Sequence, residues 1–145
     1  MYLGAAGRSE THDVTVPTTM VKYSNDNQDK IIITLAWDWE GTDDSSNPSD
    51  TVDLKLDILN SSGNAFSPAI TLTEEDVPQT TQKKTLKGTL PIGTTAFNIR
   101  GTWVAGPADG EIENINYLLS MVSQTDDDII AGTGISVNDE GHRLL

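Results

Sequence analysis

The chain contains no cysteine, which excludes disulfide bonds, thiolate chemistry and cysteine-ligated zinc sites. Because small secreted domains are commonly held together by disulfide bonds, this absence also counts against a secreted domain. Histidine is scarce as well, and the two histidines, His12 and His142, lie near opposite ends of the chain. A nucleophile and its base must be held within hydrogen-bond distance by rigid structure, so terminal histidines do not predict a catalytic pair.

Basic residues are few: nine lysines and arginines stand against 22 aspartates and glutamates, for a net charge of −13. An acidic surface is repelled by nucleic-acid phosphates and by anionic membranes, so we expect neither as a partner. No apolar run approaches the length of a membrane span. The first residues lack the basic and apolar regions of a signal peptide, which predicts either a protein used inside a cell or one whose leader has been removed.

Short runs of alternating apolar residues, separated by turn-forming residues, recur along residues 14–123. The clearest run places Ile31, Ile33, Leu35, Trp37 and Trp39 on one face of a strand. This pattern predicts an all-β antiparallel sandwich with a jelly-roll-like arrangement, flanked by an N-terminal arm (1–13) and a C-terminal arm (124–145). No segment predicts a helix. Residues 20–23 are expected to continue the first strand, 24–29 to form a turn, and 40–51 to form a loop, and the acidic run 74–76, followed by Pro78, is expected to break the strand before it.

No catalytic motif occurs, since the sequence lacks the Gly-x-Ser-x-Gly, His-Glu-x-x-His and phosphate-loop patterns. Carboxylate pairs exist, but Asp53 and Asp57 are expected on the wet face of one strand, whereas glycoside hydrolysis needs carboxyls facing each other across a cleft. The sequence therefore predicts a protein that is not an enzyme.

The acidic loop offers the one candidate metal site, because calcium prefers oxygen ligands from flexible loops. Asp43, Asp44, Asn47 and Asp50 have suitable side chains, but the glycine and closing glutamate of an EF-hand are missing. A calcium site and a simple solvated loop are the alternatives, and no other cofactor is expected. Beside this loop, Trp39 ends its strand and is expected to be exposed, as in aromatic platforms that stack on sugars or peptides.

Two resemblances to known families accompany these patterns. Residues 14–122 resemble pre-peptidase C-terminal domains, which are jelly-roll-like sandwiches carried by secreted proteases and other surface proteins. The segments that carry this resemblance are Leu35-Ala36-Trp37, Asp53-Leu54-Lys55-Leu56, Asn60-Ser61-Ser62-Gly63, Leu90-Pro91-Ile92-Gly93-Thr94, Asn98-Ile99-Arg100-Gly101 and Tyr117-Leu118-Leu119. The chain departs from that family at residues 93–97, where the aromatic residue comes later than the family's Gly-Thr-Tyr.

The second resemblance covers residues 129–138, Ile-Ile-Ala-Gly-Thr-Gly-Ile-Ser-Val-Asn, which look like a segment of bacteriophage tail-fibre proteins. In those proteins the segment lies near a trimer axis. Apolar side chains beyond the last sandwich strand need cover, and a second subunit is the expected source. The residues expected to contact that subunit are Ile129, Ile130, Ile135 and Val137.

These observations leave two function classes. The first is a virion structural protein (capsid decoration, fibre or tail-associated) that forms a homo-oligomer, expected to be a trimer, and contacts other virion proteins through its terminal arms. The alternative is an extracellular accessory sandwich that binds carbohydrate or protein, with or without calcium. The first predicts an assembly that is lost when residues 126–145 are removed, and the second predicts a monomer.

Overall fold

The computed structural model describes residues 1–3, 8–42, 47–121, 135–138 and 141–144, the last two stretches by their backbone alone. Among these residues, one helix, α1, spans Thr18–Asn27. The strands are β1 (Tyr2–Leu3), β2 (Ser9–Thr15), β3 (Ile31–Thr42), β4 (Val52–Asn60), β5 (Ala65–Val77), β6 (Gln82–Leu90), β7 (Ala96–Ala105), β8 (Asp109–Met121), β9 (Ile135–Asn138) and β10 (Gly141–Leu144).

The strands form two antiparallel sheets that pack face to face, which confirms the predicted sandwich. One sheet has the order β10-β9-β8-β3-β6, with β1 also paired to β8, and the other has the order β2-β7-β4-β5. Taken alone, the first eight strands have the orders β1-β8-β3-β6 and β2-β7-β4-β5. These are the two four-stranded sheets of an eight-stranded jelly roll.

The core lies between the sheets because β3 and β4 alternate apolar and polar residues with the two-residue period of a strand. In β3 the predicted inward set from Ile31 to Trp39 is buried, and in β4 Val52, Leu54, Leu56 and Ile58 are buried. Large rings fill the centre, where Phe97 and Tyr117 meet edge to face with centroids 5.7 Å apart.

The helix α1 corrects the prediction of a strand and turn over residues 20–29. Its sequence is rich in β-branched residues and in Ser, Asn and Asp, which have low helix propensity, so local preference alone does not predict it. Tertiary packing supplies the stability that the low helix propensity does not, because Met20 and Ser24 point into the protein. Ser24 Oγ donates to Asp29 O at 2.5 Å and accepts from Gly93 N at 2.9 Å, which ties the end of the helix to the β6–β7 turn.

Other element boundaries also differ from the predicted ones. Strand β3 continues through residues 40–42 of the expected loop, and β5 continues through residues 74–77, where the acidic run was expected to break it. At the N-terminus, β1 and β2 take residues 2–3 and 9–13 into the sandwich, which corrects the expectation of an arm there. In each case pairing with a neighbouring strand stabilises a segment whose composition is typical of loops.

Candidate functional site

Three of the strands at the sheet edges carry charges that discourage pairing with another chain. The outer strand β6 contains three lysines, β2 contains Glu10, His12 and Asp13, and β5 combines Pro68 with an acidic run at residues 74–76. Charged side chains and proline on an edge strand oppose the addition of further strands. We therefore exclude these three edges as sites of strand addition.

In the eight-stranded core formed by β1–β8, the fourth edge is the side of β8 that faces away from β3, which we call the β8 outer edge. Residues 115–121 of β8 read Ile-Asn-Tyr-Leu-Leu-Ser-Met and contain no charge. An uncharged, apolar edge strand attracts other strands unless it is covered. Among the described residues, the strands that pair with this edge are β1 and β9, so both terminal segments meet at it.

The first strand covers the beginning of the β8 outer edge. Tyr2 pairs with Glu111 and Leu3 with Gly110, and Leu3 is fully buried. Met1 exchanges two backbone hydrogen bonds with Ile112, Met1 N donating to Ile112 O at 2.7 Å and Ile112 N donating to Met1 O at 2.9 Å.

A side-chain hydrogen bond fastens this first strand at its exposed end. The Tyr2 hydroxyl donates to Asp109 Oδ2, and this bond to a carboxylate is the main reason that the pKa of Tyr2 lies above its ordinary value. The first strand of the jelly roll is only two residues long, so most of β8 lies beyond it.

The second half of the β8 outer edge is paired with β9. The register places Asn116 opposite Asn138 and Leu119 opposite Ile135, and β10 pairs with the other side of β9. Ile135 and Val137, which were expected to pair with a second subunit, therefore lie in a strand bonded to their own chain. Ile129 and Ile130 lie outside the described residues.

The acidic loop is described only in part, because Asp43 and Asp44 lie outside the described residues. Asn47 Oδ1 accepts from Ser49 N at 3.1 Å and from Ser49 Oγ at 2.7 Å. Gln79 Nε2 donates to the backbone oxygens of Asn47 and Asp50, both at 3.0 Å, which fixes the end of the loop against the β5–β6 connection. Within the described ranges, no three metal-ligating side chains come together.

Trp39 is not exposed, which corrects the prediction for this residue. Its side chain is 1% exposed because β3 runs three residues further than expected and carries Trp39 into the core beside Trp37. The Trp39 indole Nε1 donates to Glu74 Oε2 at 3.0 Å, and Lys84 Nζ lies 2.8 Å from the same oxygen. The three residues form what we call the Glu74 bridge, which joins β3 and β6 of one sheet to β5 of the other.

A cleft of about 380 Å³ lies beside α1 and was not predicted from the sequence. Val16 and Val21 contribute its apolar wall, and the exposed ion pair of Lys22 and Asp26, 2.5 Å apart, stands at its rim. The (i, i+4) spacing of that ion pair is the one local signal that could have indicated a helix here.

The two histidines lie on different strands. His12 is exposed on β2, and His142 lies in β10.

No family model matches the chain, and no curated protein matches it. The resemblances to pre-peptidase C-terminal domains and to tail-fibre segments therefore stay predictions. No helix among the described residues has the length and apolarity needed to cross a membrane.

Proposed function

We propose that this protein is a non-enzymatic structural component of a virion: a capsid decoration, fibre or tail-associated protein. In this proposal it assembles as a homotrimer, and with other virion proteins, through its terminal segments. The observation that carries the proposal is the uncharged β8 outer edge, at which both terminal segments of the described chain meet. Strand addition to the strands that cover that edge gives main-chain hydrogen bonds without requiring a binding pocket.

Two further observations support a virion component over other self-assembling proteins. The strand orders are those of a jelly roll, an architecture used by capsid proteins and also by lectins, so this support is an analogy at the level of fold. Residues 129–138 add the resemblance to a tail-fibre segment. Together they favour a protein that is present in many copies on a virus particle and is held there by contacts with other proteins.

Assembly would use the strand that lies outermost on this side of the sheet. β10 pairs with β9 on one side, and no described strand pairs with its other side, where a neighbouring subunit could add a strand. Each subunit brings a charge of −13, so subunits repel each other at long range and short-range strand pairing must offset that repulsion.

The mass of the protein in solution tests assembly directly. We expect light scattering to give a trimer for the full chain and a monomer for a chain that lacks residues 126–145. Because this deletion also uncovers β8, a second variant, Asn116→Lys with Asn138→Lys, places like charges opposite each other across β8 and β9.

The matched control for the double lysine variant is Thr34→Lys. Thr34 is an exposed residue of β3 and lies on the same face of the sheet as Asn116. We expect the control to remain a trimer and the double variant to dissociate while its circular dichroism stays that of a β-sandwich. A monomeric full-length chain would overturn the proposed assembly.

The virion assignment is tested separately by mass spectrometry of purified particles, in which we expect many copies of the chain per particle. The absence of the chain from purified particles would refute that assignment.

A further inference from the structure

The turn between β6 and β7 displays an apolar side chain on a rigid support. Three large apolar side chains are exposed in the described part of the chain: Tyr2, Ile92 and Val104. Around Ile92 the backbone is fixed, because Gly93 adopts a φ of +77°, which glycine tolerates, and Thr94 N donates to Pro91 O at 3.1 Å. A turn that is already ordered loses little conformational entropy when Ile92 is buried against a partner.

An apolar cleft adjoins this turn. The cleft of about 380 Å³ beside α1 is lined by Val16 and Val21, and Thr95, which follows the turn, also contributes to its lining. Two hydrogen bonds of 2.9 Å hold the turn there, from Gly93 N to Ser24 Oγ and from Val16 N to Thr95 O. The exposed isoleucine does not line the cleft of its own subunit, but the two lie side by side. The isoleucine of one copy can therefore meet the cleft of another.

The surface around the turn and the cleft carries little charge, although the chain as a whole is strongly acidic. Residues 14–21 and 88–99, which supply the turn and most of the cleft, contain no charged residue. The charges at the rim are those of Lys22 and Asp26, whose side chains lie 2.5 Å apart and neutralise each other. Subunits that each bring a charge of −13 repel each other least where they meet through such a surface. The charge pattern favours a second copy of this chain as the occupant of the cleft.

We propose that Ile92 of one subunit inserts into the α1 cleft of the next, as a second contact within the trimer. The inference rests on the proposed function, because it names a further surface that holds the subunits of that assembly together. Head-to-tail contacts close into a ring when the rotation between subunits fits, and three subunits give the expected trimer. Because the isoleucine and the cleft adjoin, this contact lies close to the three-fold axis. Its driving force is the removal of apolar surface from water on both sides.

A charge at position 92 tests the contact, with a matched charge elsewhere as the control. Ile92→Glu places a carboxylate at the contact, and Val104→Glu places one at an exposed position of β7 that does not line the cleft. Both variants have the same net charge, so a difference between them reports the contact and not general repulsion. In light scattering over a dilution series, we expect Ile92→Glu to raise the concentration at which half of the chains are trimeric by about tenfold or more, and Val104→Glu by less than about threefold.

The cleft is tested from its own side by filling it. Thr18 is exposed and lines the cleft at the start of α1, so the indole of Thr18→Trp should occupy the space and weaken the trimer as Ile92→Glu does. The control is Thr19→Trp at the next residue of α1, which is exposed but does not line the cleft, and we expect it to leave the trimer unchanged. Far-UV circular dichroism and Tm show whether each variant is folded.

The chain contains no cysteine, so an introduced pair of thiols reports the contact directly. One preparation carries Ile92→Cys and another, lengthened by an affinity tag, carries Thr18→Cys; the two are unfolded together, refolded and treated with a short bismaleimide. Because each chain has a single thiol, the product that joins one chain of each kind forms only between subunits. We expect this product in higher yield than the one from Val104→Cys and tagged Thr18→Cys.

The outcomes separate this inference from the proposed function. If Ile92→Glu and Val104→Glu weaken an existing trimer equally, the contact at the cleft is overturned, while assembly through the outer side of β10 stands. If Thr18→Trp acts no more strongly than Thr19→Trp, or the mixed cross-link does not exceed its control, the cleft does not receive Ile92 and the inference is overturned as well. A wild-type chain that is monomeric at every concentration overturns both proposals.

Discussion

Replacing Glu74 with alanine should be among the most damaging changes to a partly exposed side chain in this protein. Among the described residues, Glu74 is the one acceptor of the Trp39 indole N–H, and that indole is almost completely buried. Leaving a buried donor unpaired costs about 1–3 kcal/mol. The ion pair with Lys84 is partly exposed to solvent, so its loss adds only about 0.5 kcal/mol.

The conservative substitution separates the two contributions. Glu74→Gln keeps an oxygen that can accept from Trp39 but removes the charge, so we expect a loss of about 0.5–1 kcal/mol. Glu74→Ala should lose about 2–3 kcal/mol. At about 3–5 °C per kcal/mol for a chain of this size, the expected decreases in Tm are about 2–5 °C and about 6–15 °C.

Urea denaturation monitored by tryptophan fluorescence measures both variants, with Glu75→Ala, an exposed neighbour on the same strand, as the control. The control should change the free energy of unfolding by less than about 0.5 kcal/mol. A Trp39→Phe background provides the stricter check, because without the indole N–H the difference between the alanine and glutamine variants should nearly disappear. Equal losses for the two variants in the wild-type background would refute the argument that the indole bond dominates.

Four other predictions follow from particular contacts. Gly88→Ala should destabilise the fold by about 1–3 kcal/mol in urea denaturation, because its Cβ would lie 2.6 Å from Ile70 Cδ1; if Ile70→Ala does not relieve part of that loss, the clash is not its cause. Burial raises the pKa of Tyr117 to about 12, so stability is full below about pH 10 and falls above it; Tyr117→Phe should make the alkaline melting profile flatter, and an unchanged profile would contradict this. The hydrogen bond from Asn114, assisted by Lys83, lowers the pKa of Asp38, so its carboxylate stabilises the fold above about pH 4 and stops doing so as the pH falls through the folded-state pKa. Asp38→Asn should therefore reduce Tm at pH 7 but change little at pH 2, and an equal effect at both pH values would argue against it. Raising the salt concentration from about 10 mM to about 1 M should favour the oligomer in light scattering, because it shortens the range of repulsion between subunits from about 30 Å to about 3 Å; dissociation by salt would show that attraction between charges holds the subunits together.

The strands of the core could be predicted because the local alternation of apolar and polar residues indicates which side chains are buried. β3 and β4 show the two-residue period clearly, and their inward residues are the buried ones. The helix could not be predicted in this way, since its stability comes from the burial of its own Met20 and Ser24 against the rest of the protein rather than from helix propensity. Trp39 was misplaced for a related reason: its hydrogen-bond partner, Glu74, lies 35 residues away in the other sheet.

The sequence showed which strands carry charge but not which strands are edges, and the candidate site depends on combining the two. The lysines of β6 look like those on any solvent-exposed strand until the topology shows that β6 is the last strand of its sheet. The run from Ile115 to Met121 looks like an ordinary central strand, and only the topology shows that its outer side is covered by a strand of the C-terminal segment, β9.

The contrast between these edges has a physical consequence for assembly. Where the sheets end in β2, β5 and β6, charge and proline oppose further pairing, so the sandwich is protected there without any cover. At β8 no such protection exists, and the edge must be covered by a strand for the folded chain to avoid unspecific association. The described chain meets this requirement with its own strand β9, and the proposed assembly therefore relies on the side of β10 that no described strand pairs with.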